Sequence, residues 1–75
     1  MAILAKTIEQ DFDADGEIPE GFLFASIKNT GAQTATVNGV PLEPGQAKSY
    51  PFIGKGQQAI PYQVNGSTLR ILYTL

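Results

Sequence analysis

The chain has 75 residues, with seven acidic and five basic side chains and no histidine, cysteine or tryptophan. This length gives one small domain with a modest core. The absence of cysteine excludes disulfides, thiolate nucleophiles and cysteine-based metal sites, and the absence of histidine removes the commonest general base. A formal charge of −2 with only 16% charged residues does not suit a nucleic-acid binder. We therefore expect no catalytic residues, no cofactor and no nucleic-acid partner.

The start of this sequence is not expected to act as an export or membrane signal. Its apolar run ends at Lys6, which is short of the about 7–15 residues in the core of a signal peptide. No later stretch approaches the about 18 apolar residues of a membrane span. We expect cytoplasmic synthesis without a signal peptide or a membrane partner.

Charge is divided unevenly along the chain. Residues 1–20 contain one lysine and six acidic residues, a net charge of −5, whereas residues 21–75 contain four basic residues and one glutamate, a net charge of +3. This pattern is typical of a solvated acidic loop on a weakly charged body. The alternative is head-to-tail attraction, in which the acidic loop of one copy meets the basic face of the next.

The first half of the chain predicts strands separated by turns. Residues 2–9 favour a strand, with a short helix as the alternative, and residues 10–21 predict an acidic loop ending in a turn at 18–21. Residues 22–29 form the clearest strand, with Phe22, Phe24 and Ser26 on one face. A half-buried strand follows at residues 34–37.

Turn signals are strongest in the middle of the chain. Asn38-Gly39 predicts a type I′ hairpin, because both central residues of that turn need positive φ. Residues 40–42 contain Pro41 and are therefore expected at a sheet edge. Pro44-Gly45 predicts a type II turn.

The second half predicts three more strands. Pro61 indicates that one of them lies at an edge or contains a bulge, and Asn65-Gly66 is a second hairpin signal before a last strand that should be held within the sheet. A flexible connection is expected at residues 54–56. The three predicted strands cover residues 46–53, 59–65 and 68–75. In total, six or seven short antiparallel strands predict a single all-β domain over residues 1–75, a small jelly-roll-like β-sandwich or barrel.

The acidic segment resembles the first half of a calcium loop. Acidic residues alternate there in the order Asp11, Asp13, Asp15, Glu17 and Glu20. Gly16 supplies the sharp turn, but Phe22 stands where the bidentate glutamate belongs and Pro19 prevents the following helix. A non-helical calcium site formed by the three aspartates with Glu17 or Glu20 is the alternative to a plain acidic connection, and we assign no metal ligand.

The other candidate chemistry is sparse. The serines at positions 26, 49 and 67 have no histidine to activate them, so we expect no enzyme. Tyrosines at positions 50, 62 and 73 would suit carbohydrate or protein recognition if exposed, although a tyrosine on a strand is more often half-buried in the sheet.

Three stretches carry a resemblance to a group of proteins. They are residues 18–22, residues 27–31 with the pattern I-x-N-x-G, and residues 36–46 with the pattern V-N-G-x-x-L-x-P-G-Q. Together with the G-S-x-L-x-I ending at 66–71, the pattern over residues 18–73 resembles small β-rich proteins encoded by bacteriophages and prophages. The resemblance implies a virion or tail accessory part that works by symmetric assembly, and it implies no catalytic or ligand-binding residue.

Self-association is expected on physical grounds as well. A chain of this size without disulfides or metal gains stability most readily by forming oligomers. Phe22 and Phe24 are the predicted subunit contact, with a strand buried on both faces as the alternative. We therefore expect a non-enzymatic structural protein that binds copies of itself and other virion proteins. The alternative is a recognition module for carbohydrate or protein, calcium-dependent through residues 11–20.

Overall fold

The computed structural model describes residues 6–75, and this part of the chain forms eight strands and no helix. The all-β prediction is confirmed, but the strand count is eight rather than six or seven. The strands are β1 (Thr7–Phe12), β2 (Gly16–Ile18), β3 (Phe24–Asn29), β4 (Ala35–Val37), β5 (Val40–Leu42), β6 (Ala47–Tyr50), β7 (Ile60–Gln63) and β8 (Leu69–Thr74).

The acidic segment accounts for the extra strand. Residues 10–21 were predicted to be a loop, which is wrong, because they contain the second half of β1 and all of β2. The acidic side chains alternate along extended backbone. A high density of charge therefore did not indicate a loop in this segment. The predicted first strand at 2–9 overlaps β1 only from Thr7, and its earlier part lies outside the described residues.

The strands form two antiparallel four-stranded sheets, in the orders β1-β8-β3-β6 and β2-β7-β4-β5. Each early strand therefore lies beside its late counterpart, 1 with 8, 2 with 7, 3 with 6 and 4 with 5. This is the pattern of one long antiparallel hairpin wrapped into a sandwich, which is a jelly roll. β8 lies between β1 and β3, which confirms that the last strand is held within a sheet.

The wrapped hairpin gives the sandwich two different ends, which we name after the ends of β3. The Asn29 end contains the connections at residues 13–15, 30–34, 43–46 and 64–68. The Phe24 end contains the connections at residues 19–23, 38–39 and 51–59, together with Lys6 and Leu75. Lys6 and Leu75 are held together there, since the Leu75 amide donates to the Lys6 carbonyl at 2.8 Å.

The core lies between the two sheets and contains twelve buried hydrophobic residues from the described part of the chain. Ala25 and Ile27 of β3 and Leu69 and Ile71 of β8 enter it from the first sheet, whereas Val37 enters it from the second. Aromatic rings close its sides: Phe22 meets Tyr50 edge to face, with ring centres 6.2 Å apart.

Two of the predicted turns have the predicted geometry. Asn38 and Gly39 both have positive φ, at 53° and 76°, as a type I′ turn requires, and they join the paired strands β4 and β5. Gly45 has a φ of 83°, and the Gln46 amide donates to the Glu43 carbonyl at 3.0 Å, as in a type II turn.

The second hairpin prediction is wrong in one respect. Asn65 and Gly66 do adopt positive φ, at 52° and 83°, and the Ser67 amide donates to the Val64 carbonyl at 2.8 Å. However, β7 and β8 belong to opposite sheets and do not pair. The geometry of a turn depends on its own residues, whereas strand pairing depends on packing across the whole sandwich.

Of the two prolines for which the sequence suggested a sheet edge, one lies at an edge and the other does not. Pro41 lies in the edge strand β5, as predicted, but Pro61 lies in β7, which has neighbours on both sides. The ladder between β4 and β7 ends at the pair Val37 and Tyr62, so Pro61 lies just beyond it. Its carbonyl accepts a hydrogen bond of 2.8 Å from the Asn38 amide. Pro61 has no N–H with which to donate in return, and the ladder between β4 and β7 does not continue past Tyr62.

Candidate functional site

Asp11, the first residue of the acidic motif, is used within the chain. Its carboxylate accepts two hydrogen bonds from the Arg70 guanidinium, at 2.9 Å and 3.3 Å, across the paired strands β1 and β8. The hydrogen bond from Arg70 holds the pKa of Asp11 below its ordinary value, and the same contact raises the pKa of Arg70. Both side chains are about half exposed, so the pair fixes local register more than it stabilises the fold.

Asp15 is also engaged. Its Oδ1 accepts a hydrogen bond of 3.0 Å from the Val64 amide, which ties the 13–15 connection to the end of β7. Asp11 and Asp15 therefore have different partners on different strands. Among residues 6–75, no group of three or more acidic side chains is placed so that it could hold a metal ion. The residues of the calcium hypothesis are not brought together.

Asn29 organises the Asn29 end from inside the protein. It has no exposed surface, and its side chain makes four hydrogen bonds. Its Nδ2 donates to the backbone carbonyls of Gln33 at 2.7 Å and Leu42 at 2.8 Å. Its Oδ1 accepts from the Gly31 amide at 3.1 Å and from the Ser67 hydroxyl at 2.6 Å. All four hydrogen-bonding positions of the amide group are used, which is what a buried asparagine requires.

This network explains the I-x-N-x-G pattern around Asn29. The backbone of Gly31 passes so close to Ser67 and Thr68 that a Cβ at this position would overlap the Ser67 hydroxyl. The Asn29 backbone is bonded as well, since its amide donates to the Gln46 carbonyl and its carbonyl accepts from the Gly45 amide. One residue thus ties together three of the four connections at this end, and it is a structural residue.

The Phe24 end has a different surface. Five large apolar side chains are exposed among residues 6–75, and all five lie at this end: Phe24, Val40, Phe52, Ile53 and Leu75. Phe24 is 36% exposed at the start of β3 and is paired with Thr74. Single exposed apolar residues are ordinary, but their concentration at one end is typical of an interaction surface.

Phe22 and Phe24, the predicted subunit contact, lie in different environments. Phe22 precedes β3 and is completely buried in the core, so it has no surface with which to contact another subunit. Phe22 is therefore a core residue and not a contact residue. The prediction that both residues share one strand face is wrong, because strand alternation begins only at Phe24. The self-association prediction for Phe24 stays a prediction.

Apart from Phe24, the exposed apolar residues were not singled out from the sequence, and two of them are neighbours in one connection. Phe52 and Ile53 are 62% and 61% exposed in the connection at residues 51–59. They fall inside the predicted strand at 46–53, but β6 ends at Tyr50, just before Pro51. Proline rarely continues a ladder, so Pro51 followed by two apolar residues and Gly54 was the available signal.

The base of this connection is fixed by Gln57. Its Nε2 donates to the Pro51 carbonyl at 3.0 Å, and its backbone amide donates to the Phe22 carbonyl at 3.0 Å. Its carbonyl accepts from the Gly21 amide at 2.7 Å. Residues 52–56 therefore form a tip closed at its base, with the Phe52 and Ile53 side chains facing solvent.

An apolar crevice opens between the two sheets on the side where β1 and β2 form the edges. Its volume is about 160 Å³, and the residues that line it are Phe12, Glu17, Ile18, Pro19, Tyr62, Ile71 and Tyr73. The rings of Phe12 and Tyr62 pack at 5.7 Å. Burial, with a smaller effect of Tyr73, raises the pKa of Tyr62, as expected for a phenol in an apolar wall.

The tyrosines do not form an exposed platform. Tyr62 is buried, whereas Tyr50 and Tyr73 are partly buried and pack against the core. Tyr50 also lies 5.6 Å below the Lys48 ammonium group. Lys48 and Tyr50 lie in register with Ile27 and Ala25 of β3 and so share the core-facing side of the edge strand β6. An inward-facing lysine of this kind is a common protection against strand addition at an edge.

The fold and these surfaces define a small eight-stranded jelly roll with one polar, internally bonded end and one apolar end. Comparison with protein-family models, with curated proteins and with solved structures found no match to this chain. Within residues 6–75, no helix has the length and apolar character needed to cross a membrane.

Proposed function

We propose that this chain is a non-enzymatic structural protein that acts as a homo-oligomer, as an accessory component of a phage-type virion or tail. The observation that carries the proposal is the distribution of large exposed apolar residues, all five of which, within residues 6–75, lie at the Phe24 end. An apolar surface concentrated in this way is stabilised when another protein surface covers it.

The size of the core supports the same proposal. Within residues 6–75, twelve buried hydrophobic residues form the core between the strands, and no disulfide supports it, since the chain has no cysteine. Small all-β domains of this kind commonly gain stability by association. Covering Phe24, Val40 and Leu75 would add apolar burial at about 25 cal/mol per Å².

The biological setting rests on the sequence pattern and on analogy of fold. The residues that carry the phage-type resemblance include Asn29, Gly31 and the Asn38-Gly39 turn, and each has a structural role in the jelly roll. Jelly rolls serve as coat proteins in viruses and also as lectin domains, so the fold favours a building block without specifying one. Mass spectrometry of purified particles from a phage or prophage that carries the gene tests this setting.

The alternative function, a calcium-dependent recognition module for carbohydrate or protein, has less support. Asp11 is paired with Arg70, and Asp15 accepts a hydrogen bond from the Val64 amide. Both carboxylates therefore have partners within the chain. Calorimetry with Ca²⁺ distinguishes the two functions, because the structural proposal predicts no heat of binding and no change in melting temperature.

The experiment that tests self-association compares matched surface variants by size exclusion with light scattering. We expect the wild-type protein to have a mass that is a multiple of the 8.0 kDa monomer. Phe24→Thr and Val40→Ser should shift this mass toward the monomer, because they remove apolar surface from the Phe24 end. Ala32→Ser, an exposed position at the Asn29 end, is the control and should leave the mass unchanged.

A further inference from the structure

We propose that the tip formed by residues 52–56 of one copy inserts Phe52 into the crevice between β1 and β2 of a second copy. This inference rests on the proposed self-association and names the two surfaces that meet. The contact is heterologous, since the tip and the crevice are different surfaces of the same chain. A heterologous contact joins copies head to tail and produces rings or filaments.

The two surfaces agree in size and in polarity. The crevice has a volume of about 160 Å³ and is lined mainly by apolar and aromatic side chains. An apolar protein cavity of about 150 Å³ accepts a benzene ring, so a space of this size is suited to one phenylalanine ring. Phe52 is 62% exposed at the tip.

The two surfaces also have opposite charges. The charged residue that lines the crevice is acidic, Glu17. The tip carries a single charged residue, Lys55, and no acidic residue occurs between positions 44 and 75. Both Glu17 and Lys55 are exposed. Opposite charges at the edge of an apolar contact favour the correct partner and orientation.

The tip is already shaped for insertion. The hydrogen bonds of Gln57 to Pro51, Phe22 and Gly21 close its base, so its ends are fixed before a partner arrives. A loop that is preorganised in this way loses less conformational entropy on binding. Gln57 therefore acts as a positioning residue for Phe52 and Lys55.

In this arrangement the tip does not occupy the crevice of its own chain. The closed base holds the tip at residues 21–22 of the Phe24 end, whereas the crevice opens on the side of the sandwich between the edge strands β1 and β2. A second copy is the partner that brings an equivalent tip to this side without opening the base.

A charge-swap experiment tests the contact. Lys55→Glu and Glu17→Lys each place like charges at the contact, and each variant alone should associate at least about tenfold more weakly than wild type. In an equimolar mixture of the two variants, opposite charges meet at every contact between unlike chains. We therefore expect the mixture to regain the wild-type mass in size exclusion with light scattering, with the two chains in a 1:1 ratio.

Controls separate this contact from general charge effects and from misfolding. Lys28→Glu and Glu43→Lys make the same changes in net charge at exposed positions outside both surfaces and should leave association unchanged. Phe52→Ser should weaken association without lowering the melting temperature of the monomer, because Phe52 is largely exposed. Circular dichroism on every variant confirms that the sheets are retained.

The outcomes distinguish this inference from the proposed function. Association of the wild type that is weakened at least about tenfold by the single swaps and restored in the mixture supports the contact. Association that persists at wild-type strength in both swaps and in Phe52→Ser overturns the contact and leaves self-association standing. A monomeric wild type overturns the proposed function itself.

Discussion

Asn29 and Ser67, thirty-eight positions apart in the chain, are joined by a buried hydrogen bond of 2.6 Å from the Ser67 hydroxyl to the Asn29 Oδ1. The bond links the end of β3 in one sheet to the connection that brings the chain from β7 to β8 across the sandwich. It is the centre of the network that holds the Asn29 end together.

Asn29→Ala should lower the free energy of unfolding by about 3 kcal/mol, because it leaves two carbonyls and two donors without their buried partner. Ser67→Ala should cost about 1 kcal/mol, since the Asn29 Oδ1 still accepts from the Gly31 amide. Urea unfolding of both variants and of the double variant measures their coupling. The double variant should be little less stable than Asn29→Ala, and strict additivity would contradict a shared network.

Gly31→Ala tests the close approach at the same end. The added methyl group meets both the Ser67 side chain and the Thr68 backbone, so the backbone itself has to shift. We expect a loss of about 2–3 kcal/mol in thermal or urea unfolding, as for overpacking in a core. Gly45→Ala is the matched control, because its φ of 83° is strained but the space around it is open. This control should cost only about 1 kcal/mol, and an equal loss in the two variants would argue against the steric account.

The pair of Asp11 and Arg70 predicts a small stability effect that depends on pH. The pKa of Asp11 is below its ordinary value of 3.8 in the folded protein, so the pair stabilises the fold above that value. This stabilisation is lost as the pH falls through the lowered pKa. Asp11→Asn should therefore melt slightly below wild type at pH 7 in low salt, with the difference vanishing in strong acid.

High salt gives an independent check of the same pair. Both side chains are about half exposed, so the melting difference at pH 7 should shrink as salt screens the attraction. A difference that persists in acid and in high salt would mean that Asp11 acts through something other than its charge. The exposed Asp13→Asn is the control and should melt like wild type under all these conditions.

Local signals in this sequence were reliable where one turn decides the structure. Asn38-Gly39 and Pro44-Gly45 have the geometry that their residue types require, since positive φ is a local property of the backbone. The Asn65-Gly66 turn was predicted for the same reason, but its two strands entered different sheets. Strand partners are chosen by packing across the whole molecule, which no dipeptide encodes.

The surfaces were harder to predict than the strands. Alternation along residues 22–29 placed Phe22 on the same face as Phe24, but the strand starts at Phe24, and Phe22 lies before it in the core. Phe52 and Ile53 were assigned to a predicted strand at residues 46–53, but that strand ends at Tyr50, just before Pro51. The acidic motif suggested a calcium site. In the structure, however, Asp11 accepts hydrogen bonds from the Arg70 guanidinium and Asp15 accepts one from the Val64 amide.

The central claim is that this jelly roll associates with copies of itself. Sedimentation velocity of the wild-type protein, from low to tens of micromolar concentration, tests this claim most directly. We expect the average mass to rise with concentration from the 8.0 kDa monomer toward a multiple of that mass. A single 8.0 kDa species at every concentration would contradict the account.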